Sequence, residues 1–355
     1  MKPPYDISSA LPFLLLFLFS SCEKEEIGPQ YVDELGGERV ITGKEALYVV
    51  NEGNFQSGNA SLTRIIPSSG NVTQRVFEKW TGRSLGDVGQ SFARYDGKYL
   101  LVVNNSGKIE VVSAGPDRRE IGTISGMTSP RYFLGISPSK GYVTDLYADR
   151  IHIVNPRSLQ VTGSIPTDGW CEAIHKSEGK VFVTNMDHGR LDVIDPAQDA
   201  IVDSLMLAEQ PNSMVEDANG KLWVLCDGGF EEEKARLYRI DPQSLQVEAS
   251  FEFPDITMSP KNLTLSPDRG TLYFLQEGIY RMDIQANALP QTPLITEGQG
   301  QFYNIEVAGD QEWIFVTDAK DYVQKGALYR FKSNGTPLDT FETGIIPNDI
   351  HFELQ

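Results

Sequence analysis

Four histidines and three cysteines are the residues of this chain best suited to bind a metal ion or to act as nucleophiles. The histidines stand apart, so none forms the i, i+4 pair of an HExxH zinc site, and no GxSxG, P-loop, GxGxxG or EF-hand pattern occurs. Only His188, in a polar turn, is placed to face a ligand, and packing is the better interpretation of His175 and His351. We therefore expect no enzymatic activity, no cofactor and no metal site.

Two cysteines fall within the predicted folded part of the chain. Cys171 opens one apolar segment and Cys226 ends another. A disulfide between them is conceivable in an oxidising compartment, but sequence alone does not show that their Cα atoms are close enough. Two buried thiols are the favoured interpretation.

A richer pattern comes from amide and aromatic side chains in turns. Aromatic rings supply contact area, and amides both donate and accept hydrogen bonds, so this mixture suits a large ligand with apolar planes and many amide or hydroxyl groups. The same turns carry Glu172 and Lys261. The candidate ligand-binding residues are Asn51, Asn54, Phe55, Asp87, Gln90, Arg131, Tyr132, Tyr147, Trp170, His188, Asn212, Phe230, Asn262, Tyr303, Tyr322 and Asn348. For any single aromatic side chain, packing between blades is the alternative to ligand binding. This alternative is weakest for Phe55 and Phe230, which lie on lengthened turns.

The elements that must position these residues repeat along the chain. The stretch from Lys180 to Pro196 is typical of a hairpin: an apolar strand, a polar turn and a second strand that stops at Asp195 and Pro196. Seven such hairpins recur with a period of about 41 residues, interrupted by two longer steps. Four short strands per unit at this period predict an all-β fold, a seven-bladed β-propeller.

The strands of each predicted blade are named A to D from the centre outward. Strand B is almost entirely apolar, as expected for a sheet covered on both faces by neighbouring blades. The segment Pro347 to Phe352 matches the A-strand pattern, so we expect it to complete blade 1 and to close the ring, which removes exposed sheet edges. The B–C and D–A loops then emerge on one face around the channel mouth. The propeller domain is predicted to span residues 45–355.

The first 44 residues are predicted to be a leader and a tether. The apolar run Leu11 to Phe19 is shorter than the about 20 residues that span a bilayer, and it is followed by Ser20, Ser21 and Cys22. Residues 1–21 resemble a lipoprotein signal peptide, with an ordinary secretory signal as the alternative. Lipid on Cys22 would anchor the chain, and residues 22–44 would form a polar tether.

The acidic balance of the chain excludes some partners. The formal net charge is −18, whereas binding to nucleic acid or to anionic lipid requires clustered Lys and Arg. We expect no nucleic-acid partner and contact with a membrane only through the lipid anchor.

Three blocks carry a resemblance to a known family. They are YVVNEGNFQSGNAS from Tyr48, GRSLGDVGQS from Gly82 and VNNSGKIEVV from Val103. They resemble the YncE-like, surface-layer-type propeller lipoproteins of Bacteroidetes, and the acidic residues after Cys22 resemble the signal that sends such lipoproteins to the outer face of the outer membrane. The corrinoid-capture (BtuG-type) members of this group bind vitamin B12 on one propeller face and pass it to a TonB-dependent transporter.

The resemblance implies a non-enzymatic, surface-exposed lipoprotein of the outer membrane that captures cobalamin or another corrinoid as cargo for a TonB-dependent transporter. The alternative is an accessory propeller that binds a protein or glycan partner of another outer-membrane uptake system. A third hypothesis is a hydrolase or lyase that uses Asp87, Asp187 and His188. The ligand is expected on the B–C and D–A loop face, and the acid and base of the third hypothesis at the channel mouth.

Overall fold

The computed structural model describes residues 46–298, 300–309 and 312–353. The predicted signal peptide, the lipid-attachment residue Cys22 and the whole predicted tether lie outside this range, so those expectations stay predictions. Within the described part of the chain, no helix is both long enough and apolar enough to cross a membrane.

The described chain is almost entirely β-strand, with one short helix. The first half contains β1 (Leu47–Asn51), β2 (Ser61–Ile66), β3 (Asn71–Thr73), α1 (Val76–Thr81), β4 (Gly89–Tyr95), β5 (Lys98–Val103), β6 (Lys108–Ser113), β7 (Glu120–Ser125), β8 (Pro130–Ser137), β9 (Lys140–Asp145), β10 (Arg150–Asn155), β11 (Gln160–Pro166), β12 (Cys171–Ser177), β13 (Lys180–Asn185), β14 (Arg190–Asp195) and β15 (Ala200–Met206). The second half contains β16 (Pro211–Glu216), β17 (Leu222–Cys226), β18 (Arg236–Ile240), β19 (Val247–Glu252), β20 (Lys261–Leu265), β21 (Thr271–Leu275), β22 (Gly278–Asp283), β23 (Ile295–Thr296), β24 (Phe302–Ala308), β25 (Trp313–Asp318), β26 (Lys325–Phe331), β27 (Pro337–Ile345) and β28 (Pro347–Phe352).

These strands form seven four-stranded antiparallel sheets, which are the seven predicted blades. Blade 1 has the order β28-β1-β2-β3, and the following sheets each use four consecutive strands, from β4–β7 in blade 2 to β24–β27 in blade 7. Each A strand contacts the A strands of both neighbouring blades, and β28 contacts both β24 and β4. The A strands therefore make a closed inner ring, and the predicted fold is confirmed.

Closure depends on the pairing of the last strand with the first. In blade 1, Leu47 lies opposite Phe352 and Val49 opposite Ile350. Glu353, just after β28, accepts a hydrogen bond from Arg64 Nη2 at 2.9 Å and pairs with Arg118 of blade 2. The C-terminal segment is thus fixed to two blades at once.

The core consists of seven apolar clusters, one between each pair of adjacent blades. Strand β1 shows how one sequence serves two clusters. Tyr48 and Val50 pack toward blade 2, while Leu47 and Val49 pack toward blade 7. Because successive side chains of a strand point to opposite faces, a strand between two clusters must be apolar at every position. This is why the B strands lack the alternation of a half-exposed strand.

The helix α1 was not predicted from the sequence. It lies between blades 1 and 2, where Val76 and Phe77 are buried in the cluster that these blades share. Trp80 packs edge-on against Tyr48 at 5.6 Å between ring centroids. A helix of six residues is too short to be stable alone, so tertiary packing holds it. It accounts for the longer first step of the repeat.

Both cysteines of the propeller are buried free thiols. Cys171 belongs to the cluster between blades 3 and 4, and Cys226 to the cluster between blades 4 and 5. Burial raises the pKa of the Cys171 thiol to about 12 and raises that of Cys226 well above its ordinary value. The interpretation as two buried thiols is confirmed.

Candidate ligand-binding site at the channel mouth

A cavity of about 320 Å³ opens at the mouth of the central channel. Each of the seven blades contributes the side chain that begins or nearly begins its A strand. We call this set the mouth ring; its members are Gln90, Arg131, Glu172, Asn212, Lys261, Tyr303 and Asn348. The ring contains three amides, one carboxyl group, two basic groups and one phenol, so it combines hydrogen-bond donors, acceptors and charge.

A local irregularity helps each A strand to aim these residues into the channel. In every blade the regular pairing between strands A and B is interrupted near the start of strand A, and such bulges redirect side chains. The interruptions lie between Gly89 and Ser91, Pro130 and Phe133, Cys171 and Ile174, Pro211 and Ser213, Lys261 and Thr264, Phe302 and Ile305, and Pro347 and Ile350.

One side of the mouth ring is fixed by a buried ion pair. Arg131 donates from Nε and Nη2 to the two carboxyl oxygens of Glu172, each at 2.7 Å, and from Nη1 to Gln90 Oε1 at 2.5 Å. Trp170 Nε1 donates to the same carboxyl group at 2.5 Å. Burial alone would lower the pKa of Arg131. The Glu172 carboxyl group outweighs this effect and raises that pKa above its usual value. This side presents a rigid, planar charged surface.

The other side is built around Glu52, the first residue after β1. Its Oε1 accepts hydrogen bonds from Tyr303 OH and from Asn348 Nδ2, both at 3.0 Å. Burial raises the pKa of Glu52 to about 7, against the opposing effects of the Tyr303 hydrogen bond and the Arg131 charge. The Lys261 ammonium lies 5.1 Å from the centroid of the Tyr303 ring.

Two further carboxyl groups line the cavity from deeper in the A strands. Asp349 accepts a hydrogen bond from Phe92 N at 2.6 Å, and Glu306 accepts one from Thr264 Oγ1 at 3.0 Å. Burial raises the pKa of Asp349 to about 7, and burial together with the nearby Asp349 raises that of Glu306 to about 8. Near neutral pH these groups carry protons for much of the time and can donate hydrogen bonds to a ligand.

Four large aromatic side chains stand on the rim, outside the cavity. They belong to the B–C loops of blades 1, 3, 5 and 7, and their exposed fractions are 66% for Phe55, 72% for Tyr147, 88% for Phe230 and 40% for Tyr322. Tyr322 also packs edge-on against Tyr303 at 6.0 Å. The rim therefore offers apolar contact area around a polar cavity.

The structure brings half of the sequence-predicted residues together in the cavity: Gln90, Arg131, Tyr132, Trp170, Asn212, Asn262, Tyr303 and Asn348. The four rim aromatics and His188 are exposed on loops of the same face. His188 Nε2 lies 3.6 Å from Asp168 Oδ2, and its side chain does not line the cavity.

Three of the predicted residues hold the scaffold instead. Asn51 is fully buried within blade 1, where its amide bonds to Ser61 and Thr63, so it does not reach the mouth. Asn54 Nδ2 donates to Tyr322 O at 2.7 Å. Asp87 Oδ2 accepts from Gln56 N at 2.9 Å and from Asn105 Nδ2 at 2.6 Å, which ties loops together.

Sequence reasoning did not select six charged residues that line the cavity: Glu52, Glu172, Asp227, Lys261, Glu306 and Asp349. Glu172 and Lys261 were assigned to the correct face. Aligning the starts of the A strands would have selected them, because each stands at the position that Arg131 occupies in blade 3. Nothing in the local sequence distinguishes Glu306 from an exposed strand residue.

The acid–base set of the third hypothesis is not assembled at the cavity. None of Asp87, Asp187 and His188 lines it, and Asp187 Oδ2 accepts a hydrogen bond from Trp170 N at 2.9 Å. Among residues 46–298, 300–309 and 312–353, no three His, Cys, Asp or Glu side chains are grouped as a metal site requires.

The fold and the cavity define a seven-bladed β-propeller with a polar cavity at its channel mouth. The chain belongs to the family described as "Domain of unknown function (DUF5074)", whose model matches residues 45–343. No curated protein matches this sequence.

Solved structures share the fold at low identity. A quinonprotein alcohol dehydrogenase-like protein from Bacteroides thetaiotaomicron is 15% identical with a TM-score of 0.69, over 88% of this chain and 78% of that chain. A streptogramin B lyase is 16% identical with a TM-score of 0.59, over 74% and 86%. Apo AztD from Citrobacter koseri is 11% identical with a TM-score of 0.55, over 86% and 96%. At these identities the likeness shows the fold alone.

Proposed function

We propose that this chain is a non-enzymatic binding protein whose ligand sits on the channel mouth. The observation that carries the proposal is the mouth ring: all seven blades direct a side chain into one cavity, and only one of the seven, Glu172, is a carboxyl group. A rigid ring holds many weakly interacting groups in place before the ligand arrives, which lowers the entropic cost of binding.

The proposed ligand is cobalamin or another corrinoid. A corrinoid is a broad ring with a rim of amide side chains. The amides of Gln90, Asn212 and Asn348 can bond to these groups through the atoms that Arg131, Pro260 and Glu52 do not already occupy. A cavity of about 320 Å³ is at the lower end of the range for small-molecule sites. The macrocycle would therefore cover the mouth against the rim aromatics, and one projecting group would enter the cavity.

The proposed setting is the outer face of the outer membrane. The pattern from Leu11 to Cys22 supports a lipid anchor, and the resemblance of the first two blades to corrinoid-capture lipoproteins supports delivery to a TonB-dependent transporter. A propeller held by lipid at its N-terminal end would present the loop face to the medium while remaining close to a transporter in the same membrane.

Calorimetric titration of the purified full-length chain with cyanocobalamin tests this function. We expect one-to-one binding. Replacing Tyr303 or Trp170 with alanine should weaken it at least about tenfold, since a central aromatic anchor contributes more than about 1.4 kcal/mol. Phe55→Ala, on the rim, should have a smaller effect.

The matched control is Leu338→Ala, because Leu338 is 38% exposed at the start of β27, on the opposite face. This variant should bind like the wild type. Absence of heat and of co-elution of the red ligand with the wild-type chain would contradict the corrinoid proposal. Equal weakening by Leu338→Ala and Tyr303→Ala would contradict the choice of face.

A further inference from the structure

The last position of strand B has a repeated role in this propeller. In four blades its polar side chain bonds to the D–A loop that precedes the same blade. Asn51 Oδ1 accepts from Gly344 N at 2.8 Å, and Asp318 Oδ1 accepts from Gln301 N at 2.8 Å. The corresponding bonds in blades 3 and 4 join Asp145 to Ser129 N at 2.9 Å and Asn185 to Asp168 O at 2.7 Å.

Blade 6 departs from this arrangement. Gln276 occupies the equivalent place after β21, and its exposed fraction is only 8%. Its Oε1 nevertheless has no hydrogen-bond partner among the described residues. The preceding D–A loop closes on itself instead: Thr257 N donates to Asp255 Oδ1 at 3.0 Å. A buried amide oxygen without a donor is destabilising, so a ligand that donates a hydrogen bond to it would be favoured.

A side pocket of about 190 Å³ lies between Gln276 and that loop. The B–C connection of blade 6 is a tight turn at Gln276 and Glu277, so it does not fill the space that longer loops occupy in other blades. The residues that line the side pocket are Thr257, Ser259, Leu275, Gln276, Glu277, Gly278, Glu297, Gln301 and Phe302.

The lining defines the chemistry of an occupant. Gln276 Oε1 and the carboxyl groups of Glu277 and Glu297 accept hydrogen bonds, whereas Ser259 can both donate and accept. One oxygen of Glu297 is already used by Phe302 N. Two carboxyl groups disfavour an anion, and Leu275 and Phe302 add an apolar wall. Hydroxyl groups, which donate and accept, match this lining best.

We infer that the side pocket is a second binding site, for a neutral polyhydroxylated ligand of monosaccharide size, with one ligand hydroxyl donating to Gln276 Oε1. Its volume is below the about 300 Å³ at which sites for larger small molecules begin, so it accommodates a single ring. No residue lines both the side pocket and the mouth cavity: Ser259 and Phe302 line the side pocket, and Lys261 and Tyr303 line the cavity. The inference does not depend on a corrinoid ligand.

The test is a saturation-transfer NMR titration of the full-length chain with a panel of neutral hexoses and their methyl glycosides. At least one probe should bind the wild type. Ser259→Trp, which fills the pocket from its exposed edge, should reduce that binding more than about tenfold. Gln276→Leu should weaken it about fivefold, the effect of one lost hydrogen bond between neutral groups.

Ile256→Trp is the matched control, because Ile256 is 41% exposed on the same loop and does not line the pocket. Hexose binding should survive this change and should also survive Tyr303→Ala, which separates this site from the mouth cavity. A cationic hexosamine is added as a further probe. Three outcomes would overturn the inference: no neutral probe binds the wild type, Ile256→Trp abolishes binding as Ser259→Trp does, or the hexosamine binds and the neutral hexoses do not.

Discussion

Glu306 is the clearest case in which a single residue of the mouth cavity affects stability. Burial raises its pKa to about 8 in the folded protein, whereas an unfolded chain has an ordinary glutamate pKa near 4.5. The folded state therefore holds the proton more tightly. Its contribution to stability is fully present below pH about 4.5 and declines as the unfolded chain ionises, and it is lost once the pH has risen through about 8.

We predict that Glu306→Gln becomes more stable relative to the wild type as the pH rises from about 4.5 to 8. Glutamine keeps a neutral hydrogen-bonding group at this position and cannot ionise. The measurement is the free energy of unfolding in urea across this range, taken as the difference between variant and wild type. Taking this difference cancels the pH dependence that groups common to both proteins contribute. One such group is His351, whose pKa is lowered to about 3 by burial.

Glu342→Gln is the control for this prediction, because the side chain of Glu342 is 61% exposed. Its difference from the wild type should stay nearly constant with pH. A constant difference for Glu306→Gln as well would mean that the Glu306 carboxyl group ionises normally in the folded protein.

For single residues, the sequence predicted which loops meet at the channel mouth more reliably than it predicted what each side chain contacts. Asn51 and Gln276 occupy the same place in their blades. The side-chain oxygen of Asn51 accepts a hydrogen bond from Gly344 N, whereas that of Gln276 has no partner among the described residues. Local sequence does not distinguish them, because the difference depends on where a loop distant in sequence lies.

At the element scale, the strands of the propeller follow from simple patterns. The predicted segment Pro347 to Phe352 coincides with β28, and the apolar B strands were predictable because both of their faces are buried. The helix α1 was not predictable, because six residues are too few to show a helical period in the sequence. The bulges that orient the mouth ring were also missed, because they appear only when two strands are paired.

The closing strand β28 should contribute strongly to stability. Phe352 is fully buried and packs edge-on against Phe315 of blade 7 at 5.1 Å. We predict that Phe352→Ala lowers the free energy of unfolding by about 3–5 kcal/mol, through lost burial and the cavity that remains. Urea unfolding followed by tryptophan fluorescence provides the measurement.

Phe55→Ala removes the same side chain from an exposed site and is the matched control for Phe352→Ala. It should change the unfolding free energy little, because Phe55 is 66% exposed. Similar losses in the two variants would show that closure of blade 1 by β28 does not stabilise the ring.

At the scale of the whole molecule, stability is distributed over seven interfaces of similar construction. Each apolar cluster draws side chains from two adjacent blades, so losing one interface exposes two sheets and opens the ring. The two buried thiols report on different interfaces, since Cys171 lies between blades 3 and 4 and Cys226 between blades 4 and 5.

We predict that an alkylating reagent leaves Cys171 and Cys226 unmodified in the native protein and modifies both over the same range of urea concentration. Buried thiols with raised pKa values react slowly, and the ring exposes both when it opens. Peptide mass spectrometry after pulsed iodoacetamide labelling measures each residue separately. Modification of one cysteine at clearly lower urea would indicate that a single interface opens without the rest.

Blade 1 is assembled from the two ends of the described chain, with β1 beside β28. During synthesis β1 is made first and has no inner partner until nearly the whole protein has followed it. A product cut short by premature termination keeps an open strand edge and an uncovered apolar cluster, which chaperones and proteases recognise. Ring closure thus acts as a check that β28 has been made, and only a chain that contains β28 carries all seven members of the mouth ring.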